Sequence, residues 1–187
     1  MISIICPTIA GREHWLERCE QSYLDTTSGD YEFVVLRNYP NCNTAWNVGI
    51  QTVEGDVIHL TADDIEAHPG WQEAGLAALA EEFLPCPRIL NPDGTLQSCG
   101  DDVLETPDGT PSQVARIPLF KRDWVEHFHP FPEMQYMGDY WLTAKCDEAG
   151  IPTLVIRDYL FTHGYAMEGR LNTLAEDITK YHRELGR

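Results

Sequence analysis

The sequence predicts an α/β fold with a Rossmann-like, mostly parallel central sheet flanked by helices, formed by residues 1–187 as a single domain. Short apolar runs alternate with helical patterns of about ten residues through the first half, which is typical of βαβ units with right-handed crossovers. A chain with 43% hydrophobic residues can also bury a substantial core. It carries neither GxGxxG nor a P-loop, so a dinucleotide-binding or ATP-hydrolysing site has little support.

The strands predicted in the first half are short apolar runs separated from the helices by turn-forming residues. The helices carry apolar residues on one face, as at positions 15, 16, 19 and 23. Glycine and proline mark the loops between these elements. In order, the predicted elements are the strand Ile2–Cys6, the helix Arg12–Tyr23, the strand Glu32–Leu36, the helix Thr44–Thr52, the strand Val57–Leu60 and the helix Trp71–Phe83.

The second half is less regular. Turn residues at 91–94 predict a hairpin between Ile89–Leu90 and Leu96–Cys99. Leu104–Ser112 is polar and contains Pro and Gly, which predicts a loop. The remaining predicted elements are the strand Val114–Phe120, a short helix from Lys121 to Val125, the helix Gly138–Ala149, the strand Thr153–Ile156 and an amphipathic helix, Leu171–Leu185, expected on a sheet edge.

Composition argues against several classes of function. The 13 basic and 30 acidic residues leave a net charge of −17, which disfavours binding to nucleic acid or to an anionic membrane. No apolar run approaches the roughly 20 residues that cross a bilayer, and the first strand begins without the basic segment of a signal peptide. The six cysteines are scattered, with no CxxC pair. We therefore expect a cytoplasmic protein with reduced cysteines and no transmembrane segment.

Three carboxylates that follow the strand Val57–Leu60 are the strongest local indication of function. Asp63, Asp64 and Glu66 come directly after a buried strand, where open α/β sheets bind their ligands. Hard oxygen donors at such a position suit Mg²⁺ or Mn²⁺ holding a substrate diphosphate. The alternative is a solvated turn in which an aspartate caps the helix that begins near Trp71.

Seven blocks of the sequence, in the same order, resemble the glycosyltransferases of family two, which have the GT-A fold and include bacterial rhamnosyltransferases. The resemblance runs from Ile2 to about His163. Each block alone is weak, and their order carries the likeness. The blocks are the opening strand with its Pro-Thr exit (3–8), the helix with Asn-x-Gly-Ile and the Glu-Gly-Asp after it (43–56), the acidic block with its Pro-Gly-Trp (60–71), the hairpin (93–100), a strand ending in basic residues (117–122), the Gly-Asp block (137–150) and a strand-end histidine (161–163).

The resemblance implies a role for particular residues of this chain. It places a general base at Asp139 and a divalent metal, Mn²⁺ or Mg²⁺, at Asp64 and His163. The residues that it places on the nucleotide-sugar side are Pro7, Thr8, Arg37, Asn47, Ala62 and Asp63.

Two positions depart from the family pattern. The family's second strand usually ends in an aspartate that binds the nucleobase, whereas Arg37 and Asn38 stand there in this chain. We expect Arg37 to contact base or phosphate instead. The first carboxylate of the metal motif is replaced by Ala62, so metal binding rests on Asp64, assisted by a neighbouring carboxylate or by His163.

By this resemblance we expect a metal-dependent, inverting glycosyltransferase. A metal that bridges both phosphates neutralises the leaving nucleoside diphosphate, and Asp139 takes the proton of the acceptor hydroxyl. The expected donor is a UDP-, dTDP- or GDP-sugar, and the acceptor is a protein, a glycan or a small molecule. The nucleotide-sugar half is expected in residues 1–84, the acceptor and catalytic half in 85–165, and a C-terminal helix in 166–187.

Three alternatives stay open at this point. Asp139 can simply cap its helix. A nucleotidyltransferase shares the layout and the acidic metal site, but normally carries a Gly-rich, basic loop after the first strand, where residues 6–12 hold one Gly and one Arg. The third alternative is a catalytically silent nucleotide- or sugar-binding module of the same fold, suggested by Arg37 and Ala62 at the two departing positions.

Overall fold

The computed structural model describes residues 1–98, 103–105, 111–164 and 173–186, which contain ten strands and six α-helices. The strands are β1 (Ile2–Thr8), β2 (Tyr31–Arg37), β3 (Val57–Leu60), β4 (Ile65–Ala67), β5 (Leu84–Leu90), β6 (Leu96–Ser98), β7 (Val103–Glu105), β8 (Pro111–Gln113), β9 (Leu119–Lys121) and β10 (Thr153–His163). The helices are α1 (Glu13–Thr26), α2 (Cys42–Thr52), α3 (Trp71–Ala80), α4 (Val125–Phe128, after the 3-10 turn Arg122–Trp124), α5 (Gly138–Glu148) and α6 (Leu174–Glu184). None of the helices in these ranges has the length and hydropathy that a bilayer span requires.

The first sheet has the strand order β2-β1-β3-β9. β1 pairs in parallel with β2 and β3, and β9 pairs antiparallel with β3. β1 is buried along almost its whole length, as its continuous apolar sequence indicates. The predicted α/β fold with a mostly parallel central sheet is confirmed, and β9 makes this sheet mixed. Because the three parallel strands share a direction, their carboxyl ends at Thr8, Arg37 and Leu60 lie along one edge.

The second sheet, in the order β4-β10-β5-β6, brings a distant segment to that edge. β10 runs parallel to β5 and antiparallel to β4, so that His163 pairs with Ile65. The sequence predicted a strand only over Thr153–Ile156, but β10 continues to His163. That extension places His163 beside Asp64, the residue before β4.

Several boundaries differ from those predicted. The hairpin is confirmed by the antiparallel pairing of β5 with β6, although Cys99 lies outside the described residues. The loop predicted over Leu104–Ser112 includes the ends of β7 and β8, and its residues 106–110 lie outside the description. Of the predicted strand Val114–Phe120, only residues 119 and 120 are in a strand, β9, which continues to Lys121. Residues 114–118 form no regular strand.

The core contains a buried histidine among aromatic rings. His59 of β3 is fully buried, with its Nε2 2.8 Å from the hydroxyl of Tyr23 and its Nδ1 3.3 Å from the hydroxyl of Tyr159. Its ring stacks on Phe161 and lies 4.7 Å from the ring of Trp71. Burial lowers the pKa of His59 to about 3, so the imidazole is neutral in the folded protein at neutral pH.

The free energy of unfolding is expected to depend on pH through His59. Above the unfolded pKa of about 6.5 the group is neutral in both states and has no effect; below it only the unfolded chain takes up the proton. Stability should therefore fall by about 1.4 kcal/mol per pH unit from 6.5 towards the folded pKa near 3. Urea unfolding between pH 7.5 and 4.5 measures this slope. His59→Gln should flatten it, His14→Gln on the surface should not, and an unchanged slope in His59→Gln would contradict the assignment.

Candidate functional site

Two adjacent aspartates follow β3 at the shared edge of the parallel strands. Asp63 is 2% exposed and Asp64 is 8% exposed. The Ile65 amide donates to the Ala62 carbonyl at 3.1 Å, which turns the chain from β3 into β4 around them. The solvated-turn alternative is therefore wrong, since both carboxylates are buried and each needs a partner.

Thr8, the last residue of β1, and Arg12, in the loop that follows it, bind this acidic pair. One guanidinium nitrogen, Arg12 Nη2, lies 2.6 Å from Asp63 Oδ1 and 3.1 Å from Asp64 Oδ2. The Thr8 hydroxyl donates to Asp63 Oδ2 at 2.6 Å. Burial raises the pKa of Asp63, while the Thr8 hydroxyl and the Arg12 charge act in the opposite direction. Thr8 and Asp63 are thus brought together as the sequence predicted.

Arg12 is the residue of this site that the sequence reading missed. The sequence predicts it as the first residue of a helix, whereas it lies just before α1 with its side chain 14% exposed. The available signal was its position: it follows a strand whose carboxyl end must lie next to the carboxylates after β3. A cation at that place is needed to neutralise buried acidic side chains.

His163 joins the acidic pair from the end of β10. Its Nε2 lies 3.5 Å from Asp64 Oδ2, and its Nδ1 lies 3.3 Å from Gln97 Oε1. The Gly164 amide donates to the Asp64 carbonyl at 2.6 Å, so the backbone as well as the side chain ties the two segments. The ring of Trp15 packs on Gly164, where an added Cβ would come within 2.3 Å of it. The two residues that the resemblance assigns to a metal are therefore neighbours.

The donor set at Asp64 and His163 fits a hard divalent cation. Their two nearest atoms, 3.5 Å apart, are close enough to contact one ion. Within the described ranges, no group of three or more His, Cys, Asp and Glu side chains is placed to hold a metal. Mg²⁺ and Mn²⁺ keep several waters and take further oxygens from substrate phosphates, so two protein ligands suffice. An imidazole next to a carboxylate shifts the preference towards Mn²⁺.

Glu66, the third carboxylate of the acidic block, has a different partner. It lies in β4 and forms an ion pair with Arg18 of α1. This ion pair is more exposed to solvent than the ion pairs of Arg12, since the Arg18 side chain is 57% exposed. Glu66 therefore serves as a matched carboxylate for comparison with Asp64.

Asp139 lies in the first turn of α5, as the sequence predicted. Its Oδ1 accepts a hydrogen bond of 3.0 Å from the Tyr140 amide, so it contacts the start of its own helix. The preceding Gly138 lets α5 approach α2 closely: a Cβ there would lie 2.2 Å from Asn43 Oδ1 and 2.6 Å from the ring of Trp46. Only a glycine fits at this junction.

The charge of Asp139 acts in the same region as the acidic pair. Burial raises the pKa of Cys42, the first residue of α2, and the charges of Asp139, Asp63 and Asp64 raise it further. The Cys42 thiol therefore lies within electrostatic reach of both the helix carboxylate and the strand-end carboxylates.

The segment before α5 is fixed by α2 and α6. Asn47 binds both backbone groups of Phe131: its Nδ2 donates to the carbonyl at 2.9 Å, and its Oδ1 accepts from the amide at 2.8 Å. The buried Asp177 of α6 accepts from the amides of Gln135 and Tyr136 at 3.1 and 3.0 Å. α6 thus packs on this segment, which differs from the sheet edge that we expected. Asn47 acts here as a brace, and its nucleotide contact stays a prediction.

The other residues assigned to the nucleotide side line the ends of the same strands. Pro7 lies in β1 beside Leu36, and Arg37 ends β2 opposite Thr8 with an exposed side chain. The Ala62 carbonyl contacts the Cys19 thiol at 3.4 Å and belongs to the turn that carries the acidic pair. Their contacts with a nucleotide remain predictions.

Comparison with solved structures shows the fold. A structure of S. aureus TarS residues 1–349 superposes with a TM-score of 0.68 at 13% identity, covering 98% of this chain and 64% of that one. A longer S. aureus TarS structure superposes with a TM-score of 0.66 at 13% identity, covering 98% of this chain and 38% of that one. GalNAc-T7, solved with UDP, GalNAc and Mn²⁺, superposes with a TM-score of 0.69 at 11% identity, covering 98% of this chain and 48% of that one.

These neighbours are glycosyltransferases, and the architecture they share with this chain is the GT-A fold. The chain spans between 38% and 64% of their lengths. No family model matches the sequence, and no curated protein matches it. At identities of 11–13% the likeness establishes the fold, and activity has to be argued from the site.

Proposed function

We propose that this chain is a metal-dependent, inverting glycosyltransferase that moves a sugar from a nucleoside-diphosphate sugar to an acceptor hydroxyl. The observation that carries the proposal is the meeting of Asp64 and His163, 99 positions apart in sequence, with their side chains 3.5 Å apart at the carboxyl edge of a GT-A sheet. GalNAc-T7, a neighbour in fold, was solved with UDP and Mn²⁺, which supports a nucleotide donor and this metal.

The donor's diphosphate would lie at the strand ends. Asp64 and His163 would hold the cation, which, when bound, offsets the charge of the leaving diphosphate. Thr8 fixes the Asp63 carboxylate by its hydroxyl, and Arg37 at the end of β2 would contact the base or a phosphate. The donor is a UDP-, dTDP- or GDP-sugar, with UDP the first to test.

Asp139 would act on the acceptor side. Its carboxylate accepts the proton of the acceptor hydroxyl while the hydroxyl oxygen attacks the anomeric carbon and the bond to the diphosphate breaks on the opposite face. It lies in the first turn of α5, and Asn47 and Asp177 hold the segment before this helix in place. The carboxylate is therefore rigidly positioned. The acceptor is a protein, a glycan or a small molecule.

A thermal-shift panel tests the donor site. UDP, GDP, CDP and dTDP are each added with Mn²⁺, Mg²⁺ or EDTA. A ligand at about 100 times its dissociation constant stabilises the fold by about 2.7 kcal/mol, which raises the Tm by several degrees. We expect one nucleotide to stabilise the protein only when the metal is present. No response to any of the four would contradict the donor site.

One observation favours a second candidate, a silent binding module of the same fold. Arg12 already neutralises Asp63 and Asp64, and Ala62 stands where a further carboxylate is usual. The two candidates differ in turnover. An enzyme slowly hydrolyses the stabilising donor sugar or transfers it, whereas a module binds the donor and releases it unchanged.

A further inference from the structure

Arg12 contacts the same oxygen of Asp64 that faces His163. A single nitrogen, Nη2, contacts Asp63 Oδ1 at 2.6 Å and Asp64 Oδ2 at 3.1 Å. Asp64 Oδ2 is also the atom that lies 3.5 Å from His163 Nε2. One oxygen therefore serves both the guanidinium and the prospective metal site.

A guanidinium and a divalent cation cannot share that oxygen without cost. Both are positive, and holding both against one buried carboxylate oxygen places like charges within a few ångströms of each other in a region of low dielectric. If Arg12 loses its contact to Asp64, it can still contact Asp63 Oδ1. The cheapest rearrangement thus keeps the contact to Asp63 and breaks the contact to Asp64.

The guanidinium also has an N–H group that makes no hydrogen bond within the described residues. Arg12 Nε is buried and finds no hydrogen-bond acceptor among the residues that the structure describes. A buried donor without an acceptor destabilises the folded state. Phosphate oxygens suit such a donor well, because a guanidinium presents several N–H groups in a planar fork.

We propose that Arg12 is a donor-coupled gate on the metal site. Without donor, its guanidinium holds Asp63 and Asp64; when a nucleoside diphosphate binds, it turns towards the phosphates, keeps Asp63 and releases Asp64 Oδ2 to the cation. The inference rests on the proposed function for the identity of the donor. It requires that metal and diphosphate each increase the other's affinity by the same factor.

Manganese titrations test the gate directly. Binding of Mn²⁺ alone, and of Mn²⁺ with saturating UDP, is measured by the electron paramagnetic resonance signal of the free ion. In the wild type we expect weak binding of Mn²⁺ alone and tighter binding with UDP. In Arg12→Gln, Mn²⁺ alone should bind roughly ten- to a hundredfold tighter than in the wild type, since a charge-assisted contact no longer competes for Asp64. The added effect of UDP should shrink.

Matched variants separate the gate from a general change of charge. Arg18→Gln removes the same charge from the same region of the chain and should leave Mn²⁺ affinity unchanged, because Arg18 pairs with Glu66. Arg12→Lys keeps a single charge without the planar fork, should fall between the wild type and Arg12→Gln, and carries the test if Arg12→Gln does not fold. Equal or weaker Mn²⁺ binding in the Arg12 variants overturns the gate.

The outcomes also distinguish the gate from the proposed function. If the wild type responds to no nucleotide but Arg12→Gln binds Mn²⁺ more tightly, the competition of Arg12 for Asp64 stands, whereas its coupling to a donor and the transferase proposal both fail. If the wild type binds UDP and Mn²⁺ together while Arg12→Gln binds Mn²⁺ alone no better, the transferase stands and the gate fails.

Discussion

Replacing Asp139 with asparagine is expected to abolish sugar transfer while donor binding is retained. The carboxamide has nearly the same shape as the carboxylate and keeps an oxygen that can accept the hydrogen bond from the Tyr140 amide, so the start of α5 should survive. It cannot take a proton from the acceptor hydroxyl. Loss of a general base costs about 10²–10⁴-fold in rate, which is the largest effect that we expect from one substitution. Single-turnover transfer and thermal shift with donor measure the two quantities separately.

The control for this substitution lies on the same helix. Glu148→Gln removes the same charge from the last turn of α5, where Glu148 pairs with Lys145, and should leave the transfer rate unchanged. Asp139→Asn with full activity would show that the carboxylate only stabilises its helix. Loss of donor binding in Asp139→Asn would mean that Asp139 belongs to the donor side instead.

The sequence predicted the parts of the site that follow from strand order. Asp63 and Asp64 come after a short buried strand, and parallel strands bring their carboxyl ends to one edge, so Thr8 had to lie near them. His163 could be assigned only through the family resemblance, since nothing in its local sequence shows that β10 ends beside β4. Contacts between distant strands depend on register, which local patterns do not encode.

Where the sequence reading was wrong, tertiary packing outweighs local preference. Pro85 and Pro87 disfavour a strand, yet residues 84–87 are buried in β5, and residues 84–86 pair with β10. Arg157 and Asp158 interrupt the apolar pattern of β10, and the register shift between Val155 and Leu160 leaves both exposed. A bulge of this kind depends on the partner strand, so the predicted strand ended too early.

Arg12 shows why a charged residue of the site can escape a reading of the sequence. Residues 6–12 hold one Gly and one Arg, which does not match the Gly-rich, basic loop of a nucleotidyltransferase. Its importance comes from burial beside two carboxylates, which appears only when β1 and β3 are placed side by side. Two buried carboxylates need a nearby cation, and which cation is close enough depends on the folded structure. A local sequence pattern does not contain this information.

Replacing Asp64 with asparagine is expected to remove the metal dependence of nucleotide binding. Asp64 Oδ2 lies 3.5 Å from His163 Nε2, and a neutral carboxamide is a much weaker ligand for a hard cation than a carboxylate. Because loss of an outer partner of a ligand already costs about 10–100-fold in metal affinity, loss of the ligand itself should cost at least about 100-fold. The Tm rise produced by nucleotide with Mn²⁺ should fall to the value measured in EDTA.

Glu66→Gln makes this result specific to Asp64. It removes the same charge two residues along the chain, but Glu66 pairs with Arg18, so the metal-dependent rise in Tm should persist. Asp63 keeps its contacts to Arg12 and Thr8 in both variants, and the fold around the turn should therefore be preserved. If Asp64→Asn still responded to Mn²⁺ like the wild type, the cation would have to bind elsewhere, and the pairing of Asp64 with His163 would be structural only.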